Sequence, residues 1–234
     1  MKRLLLASIL AVSLPTVAGE FPSLGDLSQD QFRRLSEDLG AAFSYKGVTP
    51  ATPLGAVGFD IGLEVSATDI RNSDIFRLAG NSAPDYITVP KLHIYKGLPF
   101  GIDLGASIGG ASNVSATVYG LDARYALLAD GIATPAVAFR VSGTRTSDIG
   151  GLRISTMAGD VMVSKKLTIA TPYIGAGVVR TISEAKGLGL AEEDFRKSRV
   201  FAGLNVNFAI VNVAVEAEKM GNNTTLSAKA GWRF

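Results

Sequence analysis

An all-β, antiparallel, up-and-down transmembrane barrel of about ten strands, with twelve possible, is the fold class that three features of this sequence predict. The first is a period-two alternation of apolar with glycine or polar residues, repeated along the chain. The second is segment length: most alternating segments run about 9–14 residues, where strands of soluble proteins average about 5–6 and a tilted membrane strand needs about 9–11. The third is composition. The 234 residues are 47% hydrophobic and 19% charged, with mean hydropathy +0.27, whereas an ordinary soluble domain carries roughly 25% charge.

The chain divides into 1–19, 20–53 and 54–234. Lys2 and Arg3 precede an apolar stretch over 4–14, Pro15 breaks it, and Val17-Ala18-Gly19 supplies small residues. This pattern reads as a secretory signal peptide cleaved after Ala18 or Gly19, and it is too short to span a membrane as a helix. Removing Lys2 and Arg3 leaves 21 basic against 21 acidic residues, so the mature chain has no electrostatic motive for nucleic acid.

Residues 20–53 precede the first long alternation. Ser28 with Gln31 has the form of a capping box. Phe32, Leu35 and Leu39 follow at helical spacing, and Gly40 is placed to stop the helix. The reading is a short N-terminal amphipathic helix of about ten residues. It is expected as a cap at the periplasmic mouth, with a plug in the lumen as the alternative. Residues 41–45 offer a further short strand, and Pro50 and Pro53 mark the approach to the barrel.

Ten segments then alternate: 55–67, 86–95, 99–110, 115–127, 135–145, 152–164, 167–180, 198–208, 211–219 and 224–234. In the first, Val57, Phe59, Ile61, Leu63, Val65 and Ala67 alternate with Gly58, Asp60, Gly62, Glu64 and Ser66. Strand side chains point to opposite faces in turn, so one face is continuously apolar. A soluble barrel would place many Lys and Glu on its polar face. Here that face is Gly, Ser, Thr, Asn and isolated charges, which suits a crowded lumen. The segment 86–95 is weaker because it contains Pro90, and 152–164 is weaker too. If the last strand ends in the periplasm, the short connections 96–98, 128–134, 165–166 and 209–210 fall on that side. The long connections 68–85 and 181–197 fall outside, the asymmetry of outer-membrane barrels. The tracts 69–78 and 190–197 within them are each expected to form a helical turn or two.

The final strand carries Leu226, Ala228, Ala230, Trp232 and Phe234 at alternate positions, ending in an aromatic residue. Together with the alternation and the export signal, this resembles the Gram-negative outer-membrane β-barrel proteins, porin-like chains among them. The stretch from Thr171 to Val178 (TPYIGAGV) is similar to barrel strands of that group. The resemblance implies a bacterial outer-membrane location, contact with outer-membrane lipids, and recognition of the C-terminal strand by the barrel-assembly machinery. Aromatic residues near segment ends, among them Tyr86, Tyr95, Tyr119, Tyr125, Phe139 and Tyr173, are expected in girdles at the lipid boundary.

The inward face predicts lumen charges of both signs at Asp60, Glu64, Lys91, Asp103, Asp122, Arg124, Arg140, Asp160, Glu216, Glu218, Lys229 and Arg233. They read as an internal ion-pair network, with a selective constriction as the alternative. With no cysteine and one histidine, His93, disulfides, Cys-ligated metals, a catalytic thiol and multi-His centres are excluded; no catalytic residue, metal or cofactor is expected. The function read from the sequence is a structural barrel or a narrow non-specific pore for small solutes. The alternatives are a lipid- or peptide-cleaving hydrolase using His93, and a transporter gated by the N-terminal plug.

Overall fold

In the computed structural model, which describes residues 21–82, 84–111 and 114–234, ten strands close into one barrel. The strands are β1 (Phe59–Asp69), β2 (Tyr86–Gly97), β3 (Ile102–Gly110), β4 (Thr117–Leu128) and β5 (Ala136–Thr146). They continue as β6 (Leu152–Ser164), β7 (Ala170–Ala185), β8 (Glu193–Phe208), β9 (Val211–Met220) and β10 (Asn223–Arg233). Each pairs antiparallel with the next, and β1 pairs with β10 from Asp60↔Arg233 to Thr68↔Thr225. Closure leaves no strand edge unpaired, the condition for a sheet in hydrocarbon. The predicted fold class therefore holds, with ten strands rather than twelve among the described residues. The predicted signal peptide lies outside those residues.

The faces are inverted relative to a soluble domain. Leu63 is 69% exposed while its neighbour Glu64 is 1% exposed. Leu92, Leu104, Leu121, Val161, Ile174 and Val215 likewise point outward. Short turns gather at the mouth that holds Phe59 and Phe234, termed here the turn mouth. The longer connections gather at the opposite loop mouth.

Two local expectations about the wall fail, while two others hold. Strands β7 and β8 run 16 residues each, so β8 begins at Glu193 where a helical turn was expected over 190–197. The outward Arg180 guanidinium grips the Asp194 carboxylate at 2.8 and 2.6 Å and favours the extended pairing. The other expected helical stretch does form, as α2 (Ser73–Leu78) in the β1–β2 connection. Pro90 is accommodated because the β2–β3 ladder begins at Lys91, one residue beyond it, where its missing N–H is not required. Tyr95 and Tyr173 do not join a girdle but turn inward, each 2% exposed, while Tyr119, Tyr125, Phe139 and Trp232 face outward.

The N-terminal helix α1 spans Gln29–Phe43, 15 residues rather than about ten. Its capping box forms: the Gln31 N–H donates to Ser28 Oγ at 3.3 Å and the Ser28 N–H to Gln31 Oε1 at 2.8 Å. Gly40 does not end it. A Cβ on Gly40 would lie 2.8 Å from Thr181 Cγ2 and Oγ1, so glycine serves the close approach of helix to β7 instead. Helix therefore continues through 41–43, and the additional short strand over 41–45 does not form.

Candidate functional site

The expected cap at the mouth beside Phe234 is also overturned: α1 lies at the loop mouth, inside the barrel. Its apolar stripe of Phe32, Leu35 and Leu39 is buried against Ile75 and Phe76 of α2 and against Ile149 and Leu152. Two of the loop-mouth connections and the first residue of β6 thus supply apolar partners for one helix face. Polar contacts fix its orientation. The Asp38 carboxylate accepts from the Asn72 N–H at 2.9 Å, Asn72 Nδ2 at 3.1 Å and Asn223 Nδ2 at 2.6 Å. Burial pushes this carboxyl up from its ordinary value, and those hydrogen bonds oppose the shift. Arg33 Nη1 reaches Glu193 at 3.0 Å, and its guanidinium sits 4.1 Å over the Phe195 ring. Ser36 Oγ meets Ser183 Oγ at 2.9 Å.

From Ser44 the chain leaves the helix and runs down the lumen to the turn mouth, where β1 begins; it is extended at Ser44 and left-handed at Val48, with φ 42°. Every residue from 44 to 51 is buried. The Tyr45 hydroxyl donates to Asp122 Oδ1 at 2.6 Å and lies 2.8 Å from the Tyr95 hydroxyl. Lys46 Nζ donates to Glu218 Oε1 at 2.7 Å, to the Ala41 carbonyl at 2.8 Å and to Ser44 Oγ at 2.5 Å. Gly47 rests on Arg140, where a Cβ would come within 1.9 Å of Nη1. Thr49 Oγ1 accepts from Arg233 Nη2 at 2.7 Å, and the Pro50 carbonyl accepts from Arg124 Nη1. The Leu54 N–H donates to Asp103 at 3.1 Å. With no side chain at Gly47, the backbone can pass Arg140 at this close approach.

The structure places eleven of the twelve named lumen charges at 6% exposure or less; Arg233, at the turn mouth, is half-buried. Nine of the twelve gather in four groups. Asp60 holds Lys229 at 3.1 Å and Arg233 at 2.6 Å. Asp103 holds Arg124 at 2.5 Å. Asp160 takes Arg140 at 3.0 Å together with Arg199. Glu64 lies between Lys91 at 2.8 Å and His93 at 2.6 Å. Asp122 and Glu216 meet tyrosines instead, Tyr45 at 2.6 Å and Tyr173 at 2.9 Å respectively, and Glu218 meets Lys46. Each carboxylate set into this interior has a donor or cation beside it, as enclosure of charge demands.

Sequence reasoning missed Arg199, Lys46 and both inward tyrosines. Arg199 is 1% exposed and donates through Nη1 to the Tyr45 carbonyl at 2.9 Å. Its signal was available: it is in phase with Gly203 and Asn205 on the inward face. Lys46 and Tyr45 belong to no strand, so alternation could not find them.

His93 is fully buried, with Glu64 on one side and the Tyr45 and Tyr95 rings 5.7 and 5.9 Å away. It is packed in the filled interior, below α1, and no hydroxyl nucleophile of a serine is hydrogen-bonded to it among the described residues.

No family model and no curated protein matches the chain. Among solved structures, an outer-membrane channel from Pseudomonas putida F1 is 14% identical with TM-score 0.48, covering 81% of this chain and 99% of that one. The KdgM porin in complex with disordered oligogalacturonate is 10% identical with TM-score 0.39, covering 76% and 99%. Neisserial surface protein A is 11% identical with TM-score 0.35, covering 75% and 95%. These are outer-membrane β-barrels, and this chain is similar to them in architecture; the barrel assignment itself rests on the closed ladder from β1 to β10.

Proposed function

We propose that the protein is an integral outer-membrane β-barrel whose pore is closed at rest by its own N-terminal segment and passes small solutes when that segment is displaced. The observation that carries the reading is the division of labour in the chain. Residues 29–51 fill the lumen, yet the ladder closes through β1–β10 without any of them. Displacing the segment would leave a complete barrel with a polar interior. Outward Leu, Val and Ile on every side support a lipid setting, and the turn mouth is assigned to the periplasm and the loop mouth to the exterior. Charges of both signs in the wall favour weak selectivity over an anion or cation filter. The segment is held mostly by polar contacts below the helix, which water can replace; an apolar seal could not be exchanged in that way. A hydrolase has no support in the placement of His93, which the segment itself covers.

The test compares the refolded mature protein with a variant lacking 21–53, in planar bilayers, with heat-modifiable gel migration as the check on folding. The intact protein should be mostly silent with rare steps, and the deletion variant should conduct steadily. A folded, heat-modifiable deletion variant that stays silent would remove the pore and leave a structural envelope barrel.

A further inference from the structure

The outward face of β3–β6 is not uniformly covered. Along β5, Phe139 and Val141 point to lipid, Gly143 leaves the next outward position empty, and Arg145 takes the one after it, toward the loop mouth. The ladder sets Gly143 between Leu121 of β4 and Met157 of β6, which stand 68% and 64% exposed. Two strand spacings, about 9.6 Å, separate those two backbones. The result is a trough of about 600 Å³ with Gly143 in its floor, Leu121 and Met157 as walls, Ala106 beyond Leu121 at one margin, and Tyr119 and Arg145 at its upper end. It continues toward the middle of the barrel past Ala123, Val141 and Leu104, as a second hollow of about 460 Å³ sharing Leu121, Gly143 and Met157.

Arg145 is exposed, with Tyr119 and Ser155 as its cross-strand neighbours. No carboxylate among the described residues forms an ion pair with it. Two other outward arginines at this rim have carboxylates, Arg180 holding Asp194 at 2.6 Å and Arg153 lying 3.9 Å from Asp148; Arg196, exposed beside Arg180, has no ion pair among the described residues but lines neither trough. A cation beside an interfacial tyrosine, at the head of an apolar trough, is complementary to an amphiphile with an anionic head. A comparable trough of about 680 Å³ on β8, β9, β10 and β1 has no cation in its lining.

We infer that the β3–β6 trough is a binding site for one acyl lipid of the outer leaflet, with a chain lying over Gly143 and an anionic phosphate headgroup paired to Arg145. The site is on the opposite face of the wall from the lumen, so it goes beyond the gated-pore reading and shares with it the transmembrane placement and the assignment of the loop mouth to the exterior.

The probes are phosphatidylglycerol, which is anionic, and phosphatidylcholine, which is zwitterionic, titrated into refolded protein in non-ionic detergent and counted by native mass spectrometry. Heat-modifiable migration is scored first, so a failure of the barrel itself is seen before any lipid is counted. Wild type should retain phosphatidylglycerol in preference to phosphatidylcholine. Arg145→Glu should weaken phosphatidylglycerol retention by about five- to twentyfold and leave phosphatidylcholine nearly unchanged. Gly143→Leu should lower retention of both lipids at constant charge. A Cβ at Gly143 would lie 3.3 Å from the Thr156 carbonyl oxygen and near nothing else, so the backbone must give by a few tenths of an ångström, which heat-modifiable migration of this variant checks. Lys186→Glu, at the same rim but outside the trough, should behave as wild type. The inference is overturned if Arg145→Glu keeps the wild-type preference, if Gly143→Leu retains both lipids fully, or if Lys186→Glu loses as much as Arg145→Glu.

Discussion

Replacing Lys46 with Met should open the barrel. The ammonium is fully buried and its partner Glu218 is 2% exposed at the side chain. Three acceptors surround it: Glu218, the Ala41 carbonyl and Ser44 Oγ. Met has similar length and can fill the space, so packing changes little while Glu218 is left enclosed without its nearest cation. Breaking a buried pair from one side destabilises by about 3–5 kcal/mol. Here the cost is smaller than that, because Arg199 Nη1 lies 3.6 Å from the other Glu218 oxygen and retains part of the attraction. About 2–3 kcal/mol is then expected, and it falls on the closed state alone, since Glu218 meets water once the segment leaves. That corresponds to about a 30- to 150-fold increase in the open population. Single-channel recording of matched amounts of heat-modifiable protein reads this directly as open probability. The double variant Lys46→Met/Glu218→Leu removes the stranded carboxylate and should recover most of the closure. Equal open probabilities in wild type and Lys46→Met would refute the reasoning, as would a double variant no more closed than the single one.

Three further outcomes are expected. Gly40→Leu should also favour the open state, because a Cβ 2.8 Å from Thr181 forces overpacking of about 1–3 kcal/mol; this outweighs the roughly 1 kcal/mol of helix propensity gained, and a protease-accessible α1 in folded protein would report it. The Asp38 latch should tighten on mild acidification: burial raises its carboxyl above the ordinary value, so the penalty on the ionised form is present above that raised value and is relieved as pH falls through it. Hydrogen exchange of α1, corrected for intrinsic rates, should slow accordingly in wild type, and the component due to Asp38 should vanish in Asp38→Asn. Deleting Phe234 should weaken the β1–β10 seam, since Phe234 exchanges backbone hydrogen bonds of 2.7 and 3.0 Å with Phe59 and their rings lie 5.8 Å apart; a heat-modifiable band unchanged in yield and transition temperature would count against that seam.

Alternation made the wall legible because lipid and lumen impose opposite demands at successive positions, and that contrast is local in sequence. Glu64 beside Leu63 states both demands in two residues. The same logic reached eleven charges in the deep interior, and it would have reached Arg199 had the phase of β8 been followed one residue beyond Val200. The strand ends were less legible where pairing continues outside the lipid zone: Arg180 and Asp194 extend β7 and β8 through a contact that no hydropathy pattern records. The placement of α1 was not legible. Amphipathic spacing says that one helix face needs an apolar partner, and either mouth could have supplied it. The choice is made by Ile75 and Phe76 of α2, Ile149 of the β5–β6 connection and Leu152 at the start of β6, which are far apart in sequence and become one surface only after the barrel closes.

The glycines of the inward face bear on whether the N-terminal segment is an accidental filling. A Cβ on Gly120 would meet the Tyr45 ring at 2.8 Å, and one on Gly105 would meet Asp122 and the Tyr95 ring at 1.9 and 2.4 Å. The wall is therefore hollowed where the segment's tyrosine and its hydrogen-bond partners sit. From the other side, Gly47 of the segment is bare where Arg140 of the wall comes closest. An open lumen facing water would have no use for either accommodation, since a small side chain at Gly120 or Gly47 would project into solvent at no steric cost. Complementary absences on both surfaces are what a filled lumen requires. They make the closed arrangement a property encoded in both wall and segment, and they place its weakest link at the polar contacts of Tyr45, Lys46 and Thr49, where water can compete, rather than at the apolar face of α1.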